Sequence, residues 1–534
     1  MKTDRKSVAG KELIVQEHTQ LLVVGAGPAG LAAATEAARR GLSVVLVDEN
    51  PVAFKTMGED VPLQYGRGMS GVARNHNAMI EAFLTSEPLI QAAYEGGVDV
   101  RLGTACWGLY ANGPGVHWLP GTVAGLSDHD RGWLIGAEHV IVAAGRRDMG
   151  LGFPGWEKPG VMGATAAVTL AARFRALHPR RVVILGTSAE ALSAAAALGN
   201  AGIEIAAIVE QAIEPVGPSQ LVTDLRAAGC EFLTSHVVRE AVGRRSVEEV
   251  LIVAVDQAGR AFGEERRISC EGVLLAVGAT PVVDLLAAHG CHVEFHSERG
   301  GYAPVVDGDQ RTSVRNVFAA GDCAGIWPRK SLDRSIAAGE GLRAVAAILG
   351  GAKNPLPAEV RESDRPAYDL SAYRKAWVRA SVVEARGEFH VCQCEEVTAL
   401  DILEVRPPRY LGWQADRSKN RSLCSLLEEV PPNPDQVKRL TRAGMGPCQG
   451  RRCREQIAAL LALKATVPLA DIPLAGYRAP VRPLPLAIAS QLLESDDQAK
   501  NWEPWFGIPS QWVPPGEVPE LFTVATSEET SLGQ

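Results

Sequence analysis

Apolar and polar positions fall into the same order twice along this chain. Leu21 to Val24 is a short apolar run that enters Gly25-Ala26-Gly27-Pro28-Ala29-Gly30. An Ala-rich stretch follows to Arg40, then Gly41 and a second apolar run from Val44 to Val47. An apolar run, a glycine turn, a helix-length stretch with a glycine stop and a second apolar run predict strand, turn, helix, strand. The order recurs from Val182 to Glu210, with Gly186-Thr187-Ser188-Ala189-Glu190-Ala191 at the turn and Gly202 closing the helix. Ile203 to Val209 is its second strand. Three further apolar runs end in glycine: Val140 to Gly145, Val273 to Gly278 and Val317 to Gly321. Each predicts a strand returning the chain to a sheet edge, and the fold class is α/β.

The 534 residues exceed what one hydrophobic core organises, so two or three domains are expected. Apolar residues at 46% and charged residues at 22% fit a globular chain. A net charge of −8 without a basic run argues against nucleic-acid binding. Met1 to Gln20 is charged and lacks the apolar stretch of a secretory signal, and no segment is apolar for the length of a membrane span, so a cytoplasmic location is expected. In such a compartment the ten cysteines read as thiols or metal ligands. From about Ala352 to Ala367 the chain turns Pro- and charge-rich, which predicts a linker. Frequent prolines beyond Leu463 predict an extended arm. The expected organisation is a nucleotide domain over 18–150 and 285–350, a second over 151–284, a linker over 351–385, a small helical domain over 386–463 and the arm over 464–534.

In the first turn three glycines meet separate needs: Gly25 a tight turn, Gly27 backbone approach to a pyrophosphate and Gly30 close helix–strand packing, with Pro28 and Ala29 opening the helix. Asp48 ends the second strand, where a carboxylate accepts from an adenosine ribose, and Glu49 is the fallback. The segment Thr312 to Cys323, TSVRNVFAAGDC, resembles the second FAD motif of the glutathione-reductase-like flavoproteins. That resemblance implies FAD, with Gly321 and Asp322 at its ribityl and pyrophosphate region. The AAGR segment from Ala143, with Gly145, and the AVGATP segment from Ala276 resemble that family's connectors, and the likeness runs from about Leu21 to Gly350. Neither nucleotide region carries a Cys-x-x-Cys or Cys-x4-Cys, so a disulfide relay is not expected. In the second turn Ser188 and Ala191 replace two glycines and would crowd a pyrophosphate, while Glu210 remains available to a ribose. A relict site, one holding an adenine nucleotide, and a working NADH site all stay open.

Cys392 and Cys394 form a C-x-C pair, and Cys448 and Cys453 a C-x4-C pair. Four soft thiolates select iron–sulfur or zinc, and C-x-C is not the usual zinc spacing. VCQCEEVT and GMGPCQGRRC resemble the [2Fe–2S] domain of bacterioferritin-associated ferredoxins, although the insert between the pairs is longer than that family uses. The resemblance implies a [2Fe–2S] cluster on these four cysteines. Gly444, Gly446 and Gly450 would let backbone amides approach it, a helix beginning near Cys448 would offer its positive end, and Arg451 and Arg452 add charge.

Taken together, with APVRPLPL from Ala479, the chain looks like the α subunits of opine oxidases and of D-hydroxyproline and proline dehydrogenases, and like the B subunit of hydrogen cyanide synthase. That group implies an electron-transfer subunit bound to a second, amino-acid-oxidase-like FAD subunit, with or without a small ferredoxin-like one. The substrate would be an amino acid or opine. An NAD(P)H-dependent reductase and a redox-sensing scaffold are the alternatives. His76, His139, His236 and His390 have no partner legible from spacing, so the catalytic residues are unknown from sequence. Tyr477, Trp502, Trp505 and Trp512 of the arm are expected to face a partner.

Overall fold

The computed structural model describes residues 14–51, 75–112, 119–351, 360–385, 387–408 and 421–493. The first block is β1 (Glu17–Val24), α1 (Pro28–Arg39) and β2 (Val44–Asp48), as the apolar pattern predicts. These join β3 (Asp99–Leu102), β4 (Ala105–Tyr110), β5 (Thr122–Ser127) and β6 (Gly132–Val142) in the order β3-β2-β1-β6-β5-β4. β1 and β2 run parallel with Leu21 opposite Val44, and Val317–Ala319 pairs parallel with the end of β6.

The second block forms a five-stranded parallel sheet. It contains β7 (Val161–Gly163), β8 (Arg181–Leu185), β9 (Glu204–Glu210), β10 (Phe232–Thr234) and β11 (Gly272–Leu275), in the order β10-β9-β8-β11-β7. Helix α2 (Ala189–Asn200) links β8 to β9. The two nucleotide-type units are joined by an antiparallel ribbon of Arg146–Asp148 with Ala279–Pro281. The runs ending at Gly145 and Gly278 are not at sheet edges as expected. The end of β6 lies between β1 and Val317–Ala319, and β11 lies between β8 and β7, so both are buried interior strands. After Val317–Ala319, α3 (Arg334–Ile348) packs along α1, where Gly341 lets the backbones approach: a Cβ there would stand 2.1 Å from the Ala29 carbonyl.

The stretch 351–385 is not a plain linker. Its C-terminal half is α4 (Leu370–Val378), continued by a π-helical turn over Arg379–Val383, and Trp377 and Arg374 are among the most buried side chains of the protein. The cysteine-bearing unit has a hairpin of His390–Cys392 with Val397–Thr398, then short helices and α5 (Arg454–Ala465). Its core is continuous with that of the second nucleotide unit: Val183, Val273, Trp377, Val391 and Leu460 belong to one apolar cluster. The first nucleotide unit keeps separate clusters on the two faces of its sheet. α5 is buried on nearly every side, as a helix without a polar face must be.

The C-terminal segment departs from expectation as well. α5 begins at Arg454 rather than near Cys448, because residues 448–453 form tight turns that leave Cys453 at the helix N-cap. Beyond α5, residues 467–493 fold back over the same chain. Tyr477 does not face outward: it stacks 3.6 Å from the Arg454 guanidinium with its hydroxyl buried. Trp502, Trp505 and Trp512 lie outside the described residues, as do residues 409–420 of the long cysteine insert. Among the described residues no helix is long and apolar enough to cross a membrane.

Candidate functional site

The turn between β1 and α1 builds an anion cradle from backbone alone. Gly25 has a left-handed φ of +113°, and a Cβ there would meet the Ala143 carbonyl at 2.2 Å. At Gly30 a Cβ would stand 1.9 Å from the Gly25 carbonyl, whereas at Gly27 nothing lies within 4 Å. Two glycines are therefore required by packing, whereas Gly27 borders open space. α1 starts at Pro28 with no side-chain cap and no acid in its first turn, so its free amides suit a phosphate.

The Asp48 carboxylate accepts from the Ala26 amide at 2.6 Å and the Asn50 amide at 2.8 Å, fixing the turn from the end of β2. Burial pushes this carboxyl up from its usual range, against those hydrogen bonds. Glu49 is engaged elsewhere. It accepts from Arg482 Nη2 at 2.8 Å, a residue from the folded-back segment. Burial would raise the Glu49 carboxyl, but Arg482 outweighs it and holds the group below the usual carboxylate range. Gly145, at φ +74°, lines the same cavity of about 360 Å³.

The second motif lies against the first. A Cβ on Gly321 would come 3.0 Å from the Ala29 side chain, so the Gly321–Ala324 turn sits on the first turn of α1. Asp322 faces Arg146 at 3.6 Å. The Gly321 amide donates to Glu340 at 2.7 Å, and Lys330 donates to the Gly321 carbonyl at 2.8 Å. The Lys330–Glu340 pair carries no sequence signal, because its partners stand ten positions apart in two different helices.

The four paired cysteines meet. Cys392 and Cys394 sulfurs are 3.9 Å apart, Cys394 and Cys448 3.4 Å, and a Cβ on Gly444 would stand 3.8 Å from the Cys453 sulfur. The Gly444 amide donates to Cys392 Sγ at 3.3 Å, and a Cβ on Gly446 would crowd Cys394 Sγ at 2.5 Å. All ten cysteines are free of disulfides, and Cys424 is exposed. No three His, Cys, Asp or Glu side chains among the described residues are arranged around a single metal ion.

Contacts from α5 and the turn before it bring the thiols near the cradle. Glu455 pairs with Arg147 at 2.7 Å, the Gly152 amide donates to Gln456 at 2.7 Å, and a Cβ on Gly150 would meet the Arg452 carbonyl at 2.1 Å. Between thiols and cradle lies a cavity of about 470 Å³ lined by Arg146, Arg147, Arg451, Arg452, Arg482 and Cys448. It shares Glu49, Asn50, Ala144, Asp284 and Arg482 with the cradle cavity. Burial raises the Asp284 carboxyl, but Arg147, Arg482, Arg454 and Arg451 outweigh it and hold Asp284 below its usual range. Neither Arg482 nor Asp284 is legible as a site residue in the sequence, although Arg482 stands within APVRPLPL.

Fold and cradle define a dinucleotide-binding oxidoreductase. The chain belongs to the pyridine nucleotide-disulphide oxidoreductase family, whose pattern matches residues 19–342. It is 28% identical over 507 residues to the A subunit of the opine oxidase of Agrobacterium tumefaciens (strain Ach5), covering 90% of this chain and 92% of that protein. It is 27% identical over 462 residues to the HcnB subunit of the hydrogen cyanide synthase of Pseudomonas aeruginosa, covering 81% and 90%. Among solved structures, L-proline dehydrogenase from P. horikoshii matches with a TM-score of 0.57 at 18% identity, covering 90% of this chain and 80% of that one, a likeness of fold.

Proposed function

We propose that this chain is the FAD- and [2Fe–2S]-carrying electron-transfer subunit of a hetero-oligomeric dehydrogenase or oxidase acting on an amino acid or secondary amine of the opine, hydroxyproline, proline or glycine type. The observation that carries the reading is that Cys448 lines the same cavity as Glu49, Asn50 and Ala144, which also line the dinucleotide cradle. A cradle that a Cβ at Gly27 would fill, above uncapped helix amides, fits the pyrophosphate of FAD. Cys392, Cys394 and Cys448 sulfurs in a chain of contacts of 3.9 and 3.4 Å, with Cys453 Sγ beside Gly444 and the Gly444 amide on Cys392, support the reading of an iron–sulfur site. A bound flavin accepts electrons in pairs and releases them singly, which suits a one-electron neighbour.

The chain's own residues have separable tasks. Gly25 and Gly30 close the turn, Asp48 fixes it, and Gly321 brings Asp322 onto the first turn of α1. Cys392, Cys394, Cys448 and Cys453 supply the thiolates. The names of the relatives, subunits of an opine oxidase and of hydrogen cyanide synthase, support a multi-subunit assembly. Its partner, on this reading, is a second flavoprotein subunit that oxidises the substrate. The assembly is read as cytoplasmic.

The test is anaerobic mixing of this chain with opines, proline, hydroxyproline and glycine, alone and after co-expression with an amino-acid-oxidase-like flavoprotein subunit, read by absorbance and EPR. The reading expects reduction of flavin and cluster only in the co-expressed complex. Rapid flavin bleaching by an amino acid without any partner would move the active site into this chain and overturn it.

A further inference from the structure

The second nucleotide unit repeats the backbone of the first. Gly186 has φ +102°, and a Cβ there would meet the Ala276 carbonyl at 2.3 Å, matching Gly25 against Ala143. What surrounds the turn is different. α1 leaves its first amides uncapped, whereas α2 is capped by Ser188, whose hydroxyl accepts from the Ala191 amide at 3.3 Å. α2 also carries an acid, Glu190, in its first turn, accepting from Ser331 Oγ at 2.6 Å. A carboxylate at a helix N-terminus uses the positive potential that a phosphate would need and repels the phosphate as well.

The ribose end is filled too. Glu210 ends β9 as Asp48 ends β2, and it is fully buried. One of its oxygens accepts from Tyr373 at 2.9 Å and from Thr187 Oγ1 at 2.5 Å, and the other from the Ala212 amide at 2.9 Å. Tyr373 comes from α4, which cannot easily withdraw. Arg374 donates to the Ala279 carbonyl at 2.8 Å and to the Gly300 carbonyl at 3.0 Å, and Trp377 is wholly buried. The remaining cavity of about 390 Å³ is walled by Glu190 and Trp327 and by Arg365 to Tyr368.

We infer that α4 is the resident occupant of the second nucleotide site, with Tyr373 at the ribose acceptor and Glu190 at the phosphate position excluding any pyridine dinucleotide. Tyr373 and Glu190 are thus specificity-determining residues: they deny NADH and NADPH access to this oxidoreductase, so its reducing equivalents arrive by another route. Every group that closes the site belongs to this chain, so closure does not depend on a partner subunit.

The experiment titrates ADP-ribose and NAD⁺ into the flavin-loaded full chain by calorimetry and mixes the same protein with NADH anaerobically. The wild type is expected to bind neither ligand measurably and to keep its flavin oxidised. The Tyr373→Ala/Glu190→Gln double variant frees the ribose acceptor and removes the charge, and its ADP-ribose affinity should rise at least tenfold. Flavin bleaching of the wild type by NADH, or wild-type ADP-ribose binding weakened by Glu210→Gln, would overturn the inference without needing any destabilised variant. A folded double variant that binds no better than wild type would equally overturn it.

Discussion

Lys330 places its buried ammonium between both oxygens of Glu340, at 2.9 and 2.7 Å, while holding the carbonyls of Gly321 and Gly325. The pair ties the Gly321–Asp322 turn to α3 with every strong donor and acceptor matched. Removing one partner strands the other charge, which costs about 3–5 kcal/mol in a buried pair. Lys330→Met should therefore lose that much stability in urea denaturation, and Lys330→Met/Glu340→Gln should recover part of it. A single variant as stable as wild type would show that the pair does not hold the turn.

Gly27 and Gly30 should separate binding from folding. Gly27→Val meets open space, so the protein should fold normally yet retain at least tenfold less flavin after gel filtration. Gly30→Val drives a side chain into the Gly25 carbonyl and should lower the yield of folded protein. Full flavin retention in a folded Gly27→Val protein would contradict the cradle.

Serine at Cys392, Cys394, Cys448 or Cys453 should abolish iron binding and the EPR signal of the reduced protein while leaving FAD in place. The first nucleotide unit has apolar clusters separate from the one that contains Cys392 and Cys453. Cys424→Ser, at an exposed position, should change neither. The ligand set is wrong if Cys424→Ser loses the signal and Cys394→Ser keeps it.

Arg482 makes the C-terminal segment part of the cradle wall, so truncation after Lys464 should weaken FAD binding as well as any partner contact. Arg482→Gln is the milder form: it removes the cation hydrogen-bonded to Glu49 and should raise the FAD dissociation constant several-fold, read by flavin fluorescence. Unchanged FAD affinity in both variants would limit the segment to a surface role.

Asp148 contributes a pH dependence. Burial pushes its carboxyl from 3.8 to about 6, although it accepts from the Thr165 amide and hydroxyl at 2.8 and 3.0 Å. Between those values the folded chain keeps a proton that the unfolded chain has released, so stability falls as pH rises through the window and levels off above it. Asp148→Asn should flatten the difference in melting temperature between pH 4.5 and 7.5. An unchanged difference would assign the slope to other groups.

Much of this was legible because it is local. The apolar runs around Gly25 and Gly186, the acid at Asp48 and the two cysteine pairs each lie within one strand, turn or helix, where periodicity and spacing report directly. What escaped depends on distant partners. α4 reads as linker because Pro366 and nearby charges precede it, yet Arg374 is buried by donating to carbonyls that sequence cannot place beside it. Glu210 looks available to a ribose because Tyr373, its occupant, is 163 positions away. The proline-rich arm looks extended because prolines forbid long helices, and nothing local tells that Tyr477 lies under Arg454.

The pairing of Glu49 with Arg482 joins residues 433 positions apart, and this gives cofactor loading a place in time. While the chain is being made, β1, α1 and β2 emerge early, but the wall contributed by Val481 and Arg482 does not exist until the cysteine-bearing unit has been translated. Flavin capture is therefore a late event, following translation of the cysteine-bearing unit. Released chains truncated before Val481 should bind FAD weakly and release it on washing, and chains extended past Ser490 should retain it.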